Sequence, residues 1–230
     1  MVDPLAEKYI PVSPYSYAIN NPIMFVDPDG QDIKIWYKVN ENGVEKSRHF
    51  VFNGQNSQGA PDNYFVKAFI QAYNYNIGNG GGDNLLQAAT STDFTIEVVQ
   101  GEVNVSTNRS VFWNPFEASE YLSNTNEKMI LSPATILEHE FDHSVSKKMD
   151  PESHRNRVNT KDKNFTNKEE ERVIKGSEMK TGQKNGEIKE GQHRKNHKER
   201  LRTIRVGDPT STKEYKYPWE NWFDNAWNNF

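Results

Sequence analysis

Residues 132–149 read SPATILEHEFDHSVSKKM, and this stretch decides how the rest of the chain is read. Ser132 offers a hydroxyl as helix N-cap, and Pro133 suits the first helical position, where no N–H partner is needed. Ile136, Leu137, Phe141 and Val145 then recur at helical spacing, which predicts a helix with an apolar stripe. On that helix lies His139-Glu140-Phe141-Asp142-His143, an H-E-x-x-H match. Residues four apart on a helix point the same way. His139 and His143 can therefore place two imidazoles on one divalent ion, with Glu140 beside them as a base for a water on that ion. With 6 His in 230 residues, chance produces such a match in roughly one chain in a hundred, so context has to weigh against the plainer reading of two surface histidines. The N-cap, the helix and the preceding SVFWNP, read as an edge strand, favour the metal.

A catalytic zinc usually takes three protein ligands and keeps a position for water. The metzincin pattern would need a glycine at 146 and a histidine at 149, where this chain has Ser146 and Met149. A later glutamate is the natural third ligand. NKEEERVIKG, residues 167–176, reads as a second helix capped by Asn167 and stopped by Gly176. Glu170 has Val173 and Ile174 three and four residues on, so it faces the core side; Glu169 and Glu171 remain alternatives, and all three could simply complement the helix dipole. His154 is a weaker ligand candidate. Asp142 reads as facing solvent, and Tyr215, Tyr217, His193 and His197 are unranked candidates for stabilising an oxyanion.

Upstream, residues 32–53 alternate as IKIWYKV and RHFVF about NENGVEK, a β-hairpin. PDNYFVKAFIQAYNY has helical spacing, and NIGNGGG, which matches no phosphate-binding fingerprint, reads as a flexible loop that ends it. A short helix around residues 84–89 and the strands FTIEVVQ, SVFWNP and MIL complete an α+β pattern: mixed strands, an active-site helix, then a mainly helical second half.

Composition sets the bounds. The chain has 230 residues, 34% apolar, with 28 Lys and Arg against 32 Asp and Glu. That length can bury a core, although a mean hydropathy of −0.92 implies long polar stretches. With no cysteine, disulfides, thiolate metal sites and a Cys nucleophile are excluded. No apolar run is long enough for a membrane span, and MVDPLAEKY lacks the basic and apolar regions of a signal peptide. Residues 147–205 hold 18 Lys and Arg against 10 Asp and Glu, so a basic segment sits in an acidic chain. Interleaved glutamates and a single aromatic, Phe165, make it a solvated surface before a nucleic-acid groove. The tail YPWENWFDNAWNNF, residues 217–230, reads as an aromatic cap on the domain.

Two resemblances add to this. VDPLAEKY, SPYSYAINNPI and FVDPDG resemble the carboxyl end of the RHS repeat-associated core of polymorphic toxins, over residues 2–30. The turn Asp27-Pro28-Asp29-Gly30 matches that family's junction phrase, which implies a core remnant over residues 1–30 and an effector domain over residues 31–230. HEFDH followed by EEERVIKGSE resembles the gluzincin-type effector metallopeptidases injected by bacteria, over residues 111–200. That resemblance implies a zincin-like fold, one zinc ion on His139, His143 and a glutamate of the second helix, Glu140 as general base, and hydrolysis of target-cell proteins. It further implies a chain secreted or delivered into a target cell, an RHS shell where the product is longer, and a cognate immunity protein as partner. The competing readings are a nuclease toxin tip, for which GQHRKNHKERLR offers His193, Asn196 and His197, and an inactive zinc-binding interaction module.

Overall fold

The computed structural model describes residues 32–216. The turn Asp27-Pro28-Asp29-Gly30, Tyr217 and the aromatic tail lie outside the described residues. β1 (Ile33–Glu41) and β2 (Val44–Phe52) pair along their whole length. The connecting Asn42 and Gly43 have φ of 55° and 81°, the type I′ geometry that matches strand twist and that an Asn-Gly pair tolerates. α1 (Tyr64–Gly78) starts at Asn63, whose side chain accepts from the N–H groups of Phe65 and Val66. There follow α2 (Asp83–Thr90), β3 (Ile96–Gln100), β4 (Val105–Ser106), β5 (Ser110–Trp113), β6 (Glu117–Leu122), β7 (Lys128–Leu131) and α3 (Pro133–Met149). The second half holds α4 (Pro151–Asn159), β8 (Lys161–Asp162), β9 (Thr166–Asn167), α5 (Lys168–Val173), a π turn over Ile174–Glu178, α6 (Met179–Lys184) and β10 (Arg200–Arg205).

The fold is α+β with mixed sheets. The larger sheet runs β2-β1-β3-β5-β4, its three inner strands parallel and its two edges antiparallel. A second, antiparallel sheet runs β10-β6-β7. The core lies between the first sheet and its helices, where Ile35, Phe52, Phe69, Trp113, Leu137 and Phe141 are fully buried. Each such side chain contributes about 1.5–3 kcal/mol, and together they clamp α3 against the sheet. No helix among the described residues is long and apolar enough to cross a membrane.

Four local expectations change. SVFWNP is not the sheet edge: β5 lies between β3 and β4, with Val111 and Trp113 buried, and the two-residue β4 takes the edge. Alternation marks a packed strand face but does not say which neighbours flank it. Gly176 does not stop the second helix, which passes through it as a π turn into α6. Gly176 lacks the positive φ of a helix-ending glycine, and packing on α3 carries the helix onward. Two of the glycines in NIGNGGG, Gly81 and Gly82, are packed: Gly81 donates to the Asn76 carbonyl at 2.9 Å, and a Cβ there would lie 3.0 Å from Thr181. Finally, α3 has no solvent face over most of its length, since Pro133–Val145 are all buried.

Candidate metal centre

The burial of α3 follows from how its polar groups are satisfied. At its first turn, Ser132 accepts from the N–H of Thr135, Trp113 Nε1 donates to the Pro133 carbonyl at 2.9 Å, and Asn76 Nδ2 donates to the Ala134 carbonyl at 2.7 Å. One turn on, Glu138 accepts from the backbone N–H groups of Asn84 and Leu85 at 2.9 and 3.1 Å. Glu138 thus caps α2, whose own N-cap, Gly82, has no side chain to do so. Burial pushes the Glu138 carboxyl up to about 7 despite these bonds. A helix tied at so many points holds its next residues, His139, Glu140 and His143, in fixed directions.

His139 Nε2 and His143 Nε2 lie 3.2 Å apart, and Glu170 Oε2 is 3.4 Å from each. Zinc donors sit about 2.0–2.1 Å from the ion, so a tetrahedral site spaces them about 3.3 Å apart. The three atoms match one face of that tetrahedron. Glu170 Oε2 is buried and has no hydrogen-bond partner. These three side chains could hold a metal ion. Burial alone would raise the Glu170 carboxyl, but the two imidazoles overcome it and hold it well below the usual carboxylate range. Burial likewise opposes charge on His143, yet Glu169 and Glu170 push it up to about 10. The two shifts are largely one attraction seen from its two ends, that between the Glu170 carboxylate and the imidazoles, with Glu169 adding to it at His143.

The other two glutamates have separate tasks. Glu169, 1% exposed, accepts from Arg157 Nε at 2.5 Å and Arg172 Nη2 at 2.7 Å, and lies 3.5 Å from His143 Nδ1 and 3.1 Å from His154 Nδ1. Burial would raise its carboxyl, but His143 and the two arginines hold it far below the usual range. Glu171 lies outside the trio and pairs with Lys168 and Lys175. His154 therefore touches Glu169 and is not one of the three converging donors. Asp142 does not face solvent: it accepts from Arg172 Nη2 at 2.6 Å and Ser177 Oγ at 2.5 Å, tying α3 to α5 and the π turn.

Behind His139, Nδ1 faces Glu178 Oε2 at 2.8 Å, and Glu178 is paired with Arg194 at 3.0 Å. The contact is close without hydrogen-bond geometry; a proton on Nδ1 toward this carboxylate would leave Nε2 a lone pair for a metal ion. The π turn makes this contact. Eight residues of α-helix would set Glu178 roughly 80° round from Glu170. One extra residue in the wider turn takes back about 100°, so both carboxylates reach His139.

Glu140 Oε2 accepts from the Ser106 N–H of β4 at 2.6 Å, while its other oxygen makes no hydrogen bond to the described residues. Thr107 N donates to Ser110 of β5, so the Ser106 N–H points to the outer edge of the sheet. A cleft of about 450 Å³ runs between β4 and α5, and His139, Glu140, His143, Glu170 and His197 line it. His197 arrives from the coil before β10; its Nδ1 lies 3.0 Å from Thr166 Oγ1 and its Nε2 3.5 Å from Glu170 Oε2. Burial holds its imidazole below the usual range. Thr166 has φ of 72°, rare for a β-branched residue, and this strained backbone aims its hydroxyl at His197.

Of the oxyanion candidates, then, His197 reaches the cleft. His193 turns Nδ1 toward the Arg194 carbonyl and Tyr215 packs against Gly207. Asn196 donates from Nδ2 to Glu199 at 2.7 Å and accepts from the Glu199 N–H at 2.8 Å. Glu178, Arg194 and Ser106 carried no sequence signal: Glu178 is out of helical phase with Glu170, Arg194 sits within a run of charges, and β4 is too short to show alternation.

No protein-family model matches this chain, and comparison with curated proteins and with solved structures also returns no match. Its chemistry has to be argued from its own side chains.

Proposed function

We propose that the chain is a zinc-dependent endopeptidase with a zincin-like catalytic domain, the effector part of an RHS-type toxin delivered into a target cell. The observation that carries this reading is the buried, unpartnered Glu170 Oε2 facing two imidazole Nε2 atoms at 3.4 Å, one residue from a carboxylate that opens on a cleft. A zinc ion held by His139, His143 and Glu170 would polarise an amide carbonyl and make water more acidic. Glu140 takes a proton from that water at its free oxygen and returns it to the leaving amide nitrogen. Its bond to Ser106 fixes the carboxylate without occupying both oxygens. His197 donates from Nε2 to the carbonyl oxygen as negative charge develops there. With the outward Ser106 N–H taken by Glu140, the Ser106 carbonyl is the group that β4 offers to the N–H of an extended substrate lying along the cleft, which fits a protein substrate better than a nucleic acid. A cognate immunity protein would protect the producing cell.

The test is incubation of wild type and Glu140→Gln with target-cell lysate, with zinc or with a chelator, followed by N-terminal peptide mapping. New protein termini should appear only with zinc-loaded wild type. Termini in both proteins, or in neither, remove the reading; degraded DNA or RNA in place of new termini supports a nuclease.

A further inference from the structure

A second lobe of about 290 Å³ opens from His139 and Glu140 on the side of β6 and β10, lined by Tyr121, Arg194, Lys198 and Arg200. We propose, on the premise that the site is a peptidase, that this lobe is a specificity pocket for a substrate carboxylate next to the scissile bond. Arg194 is 5% exposed; its Nη2 lies 3.0 Å from Glu178 Oε2, and its Nε is buried without a hydrogen-bond partner. The Tyr121 ring, 4.5 Å from its guanidinium carbon, fixes the guanidinium plane. Glu178, which also lines the lobe, balances one charge, but it is shared with His139 and leaves Nε of Arg194 unmet.

Lys198 and Arg200, at the mouth, have no ion pair among the described residues. Arg202, the next arginine along β10, is differently placed and meets Glu120 at 3.1 Å. The register of β10 slips against β6 between Arg200 and Arg202, and the two guanidiniums part there, one to Glu120 and the other into the lobe. An apolar side chain seated here would leave Nε of Arg194 buried and unmet, whereas a carboxylate would satisfy it with a charge-assisted hydrogen bond. Either an Asp or Glu side chain within the substrate or a free chain end could supply that carboxylate.

Zinc-loaded Glu140→Gln protein is titrated by NMR with acetyl-glutamate methylamide, acetyl-glutamine methylamide and acetyl-alanine. The titrations are repeated with Arg194→Gln, Lys198→Gln and Arg200→Gln added together, and again with Lys198→Gln and Arg200→Gln alone, both at exposed positions, where a part of the difference owed to Arg194 should remain. A carboxylate compound should bind about tenfold more tightly than the glutamine compound, about 1.4 kcal/mol, and the triple substitution should remove that difference. Tighter acetyl-glutamate methylamide assigns a side chain, and tighter acetyl-alanine a chain end. Equal binding of all three compounds, or a difference that survives the triple substitution, overturns the pocket. Wild type cutting no peptide would defeat the peptidase premise alone, since the titrations need no turnover.

Discussion

Nδ1 of His139 lies 2.8 Å from Oε2 of Glu178, a residue that only the π turn brings round to it. The carboxylate orients the ring and raises the basicity of the nitrogen that faces Glu170 and His143. Glu178→Gln should lower zinc affinity about 10–100-fold, measured by competition with a chromogenic chelator. Unchanged affinity would mean that the contact does no more than fill space.

Metal binding and turnover should separate cleanly among the residues around the cleft. After extensive dialysis, Glu140→Gln should keep one zinc per chain by elemental analysis yet lose turnover by about 10²–10⁴ or more. His139→Ala, His143→Ala and Glu170→Gln should lose the zinc, whereas Glu171→Gln, whose carboxylate pairs with Lys168 and Lys175, should retain it. Loss of zinc from Glu171→Gln but not from Glu170→Gln would reverse the ligand assignment.

Arg172 bridges Asp142 at 2.6 Å and Glu169 at 2.7 Å, and both carboxylates are almost wholly buried. Arg172→Met should cost about 3 kcal/mol, because it strands buried charge on α3 and α5. Urea unfolding of the metal-free protein reads this directly, and a midpoint equal to wild type would contradict it.

Glu187 accepts from the Ser132 N–H at 2.9 Å at the start of α3, and its other oxygen is buried without a partner. Burial pushes its carboxyl up to about 7 from an ordinary 4.5. The folded state therefore binds this proton more tightly than the unfolded state does. The stability gained is fully present below about pH 4.5 and is lost as pH rises through 7. Glu187→Gln keeps the Ser132 bond but cannot ionise. The stability of wild type relative to this variant should fall by something on the order of 3 kcal/mol between pH 4.5 and 8, read from unfolding midpoints. A constant difference across that range would show that the carboxyl is not desolvated as described.

The readable part of the fold was its local grammar. The hairpin about NENGVEK, the Ser132 cap and the alternation in β1 are decided by neighbours in the chain, so composition and spacing expose them, whereas the Asn63 cap went unread. Helical phase put His139 and His143 on one side of α3 and turned Glu170 toward the core with Glu169 and Glu171 left open; Glu169 is the more deeply buried, and which glutamate meets the histidines depends on how α5 packs on α3, which spacing does not show. Beyond the π turn phase is lost, so nothing in the sequence connected Glu178 to His139. The outer place of β4 depends on strand order, which pairing across long separations decides. Asp142 was misread because a charged side chain on a helix normally finds water, and here Arg172 and Ser177 replace it.

The turn over Ile174–Glu178 makes the length of this segment as consequential as its composition. Removing a single residue there, even Gly176, whose added Cβ would touch nothing within 4 Å, would restore ordinary winding and swing everything downstream by about 100°. Glu178 would leave His139, and Arg194 would lose its counterion, although every side chain named in the centre would still be encoded. A one-residue deletion at this place should therefore be more damaging than most substitutions around it.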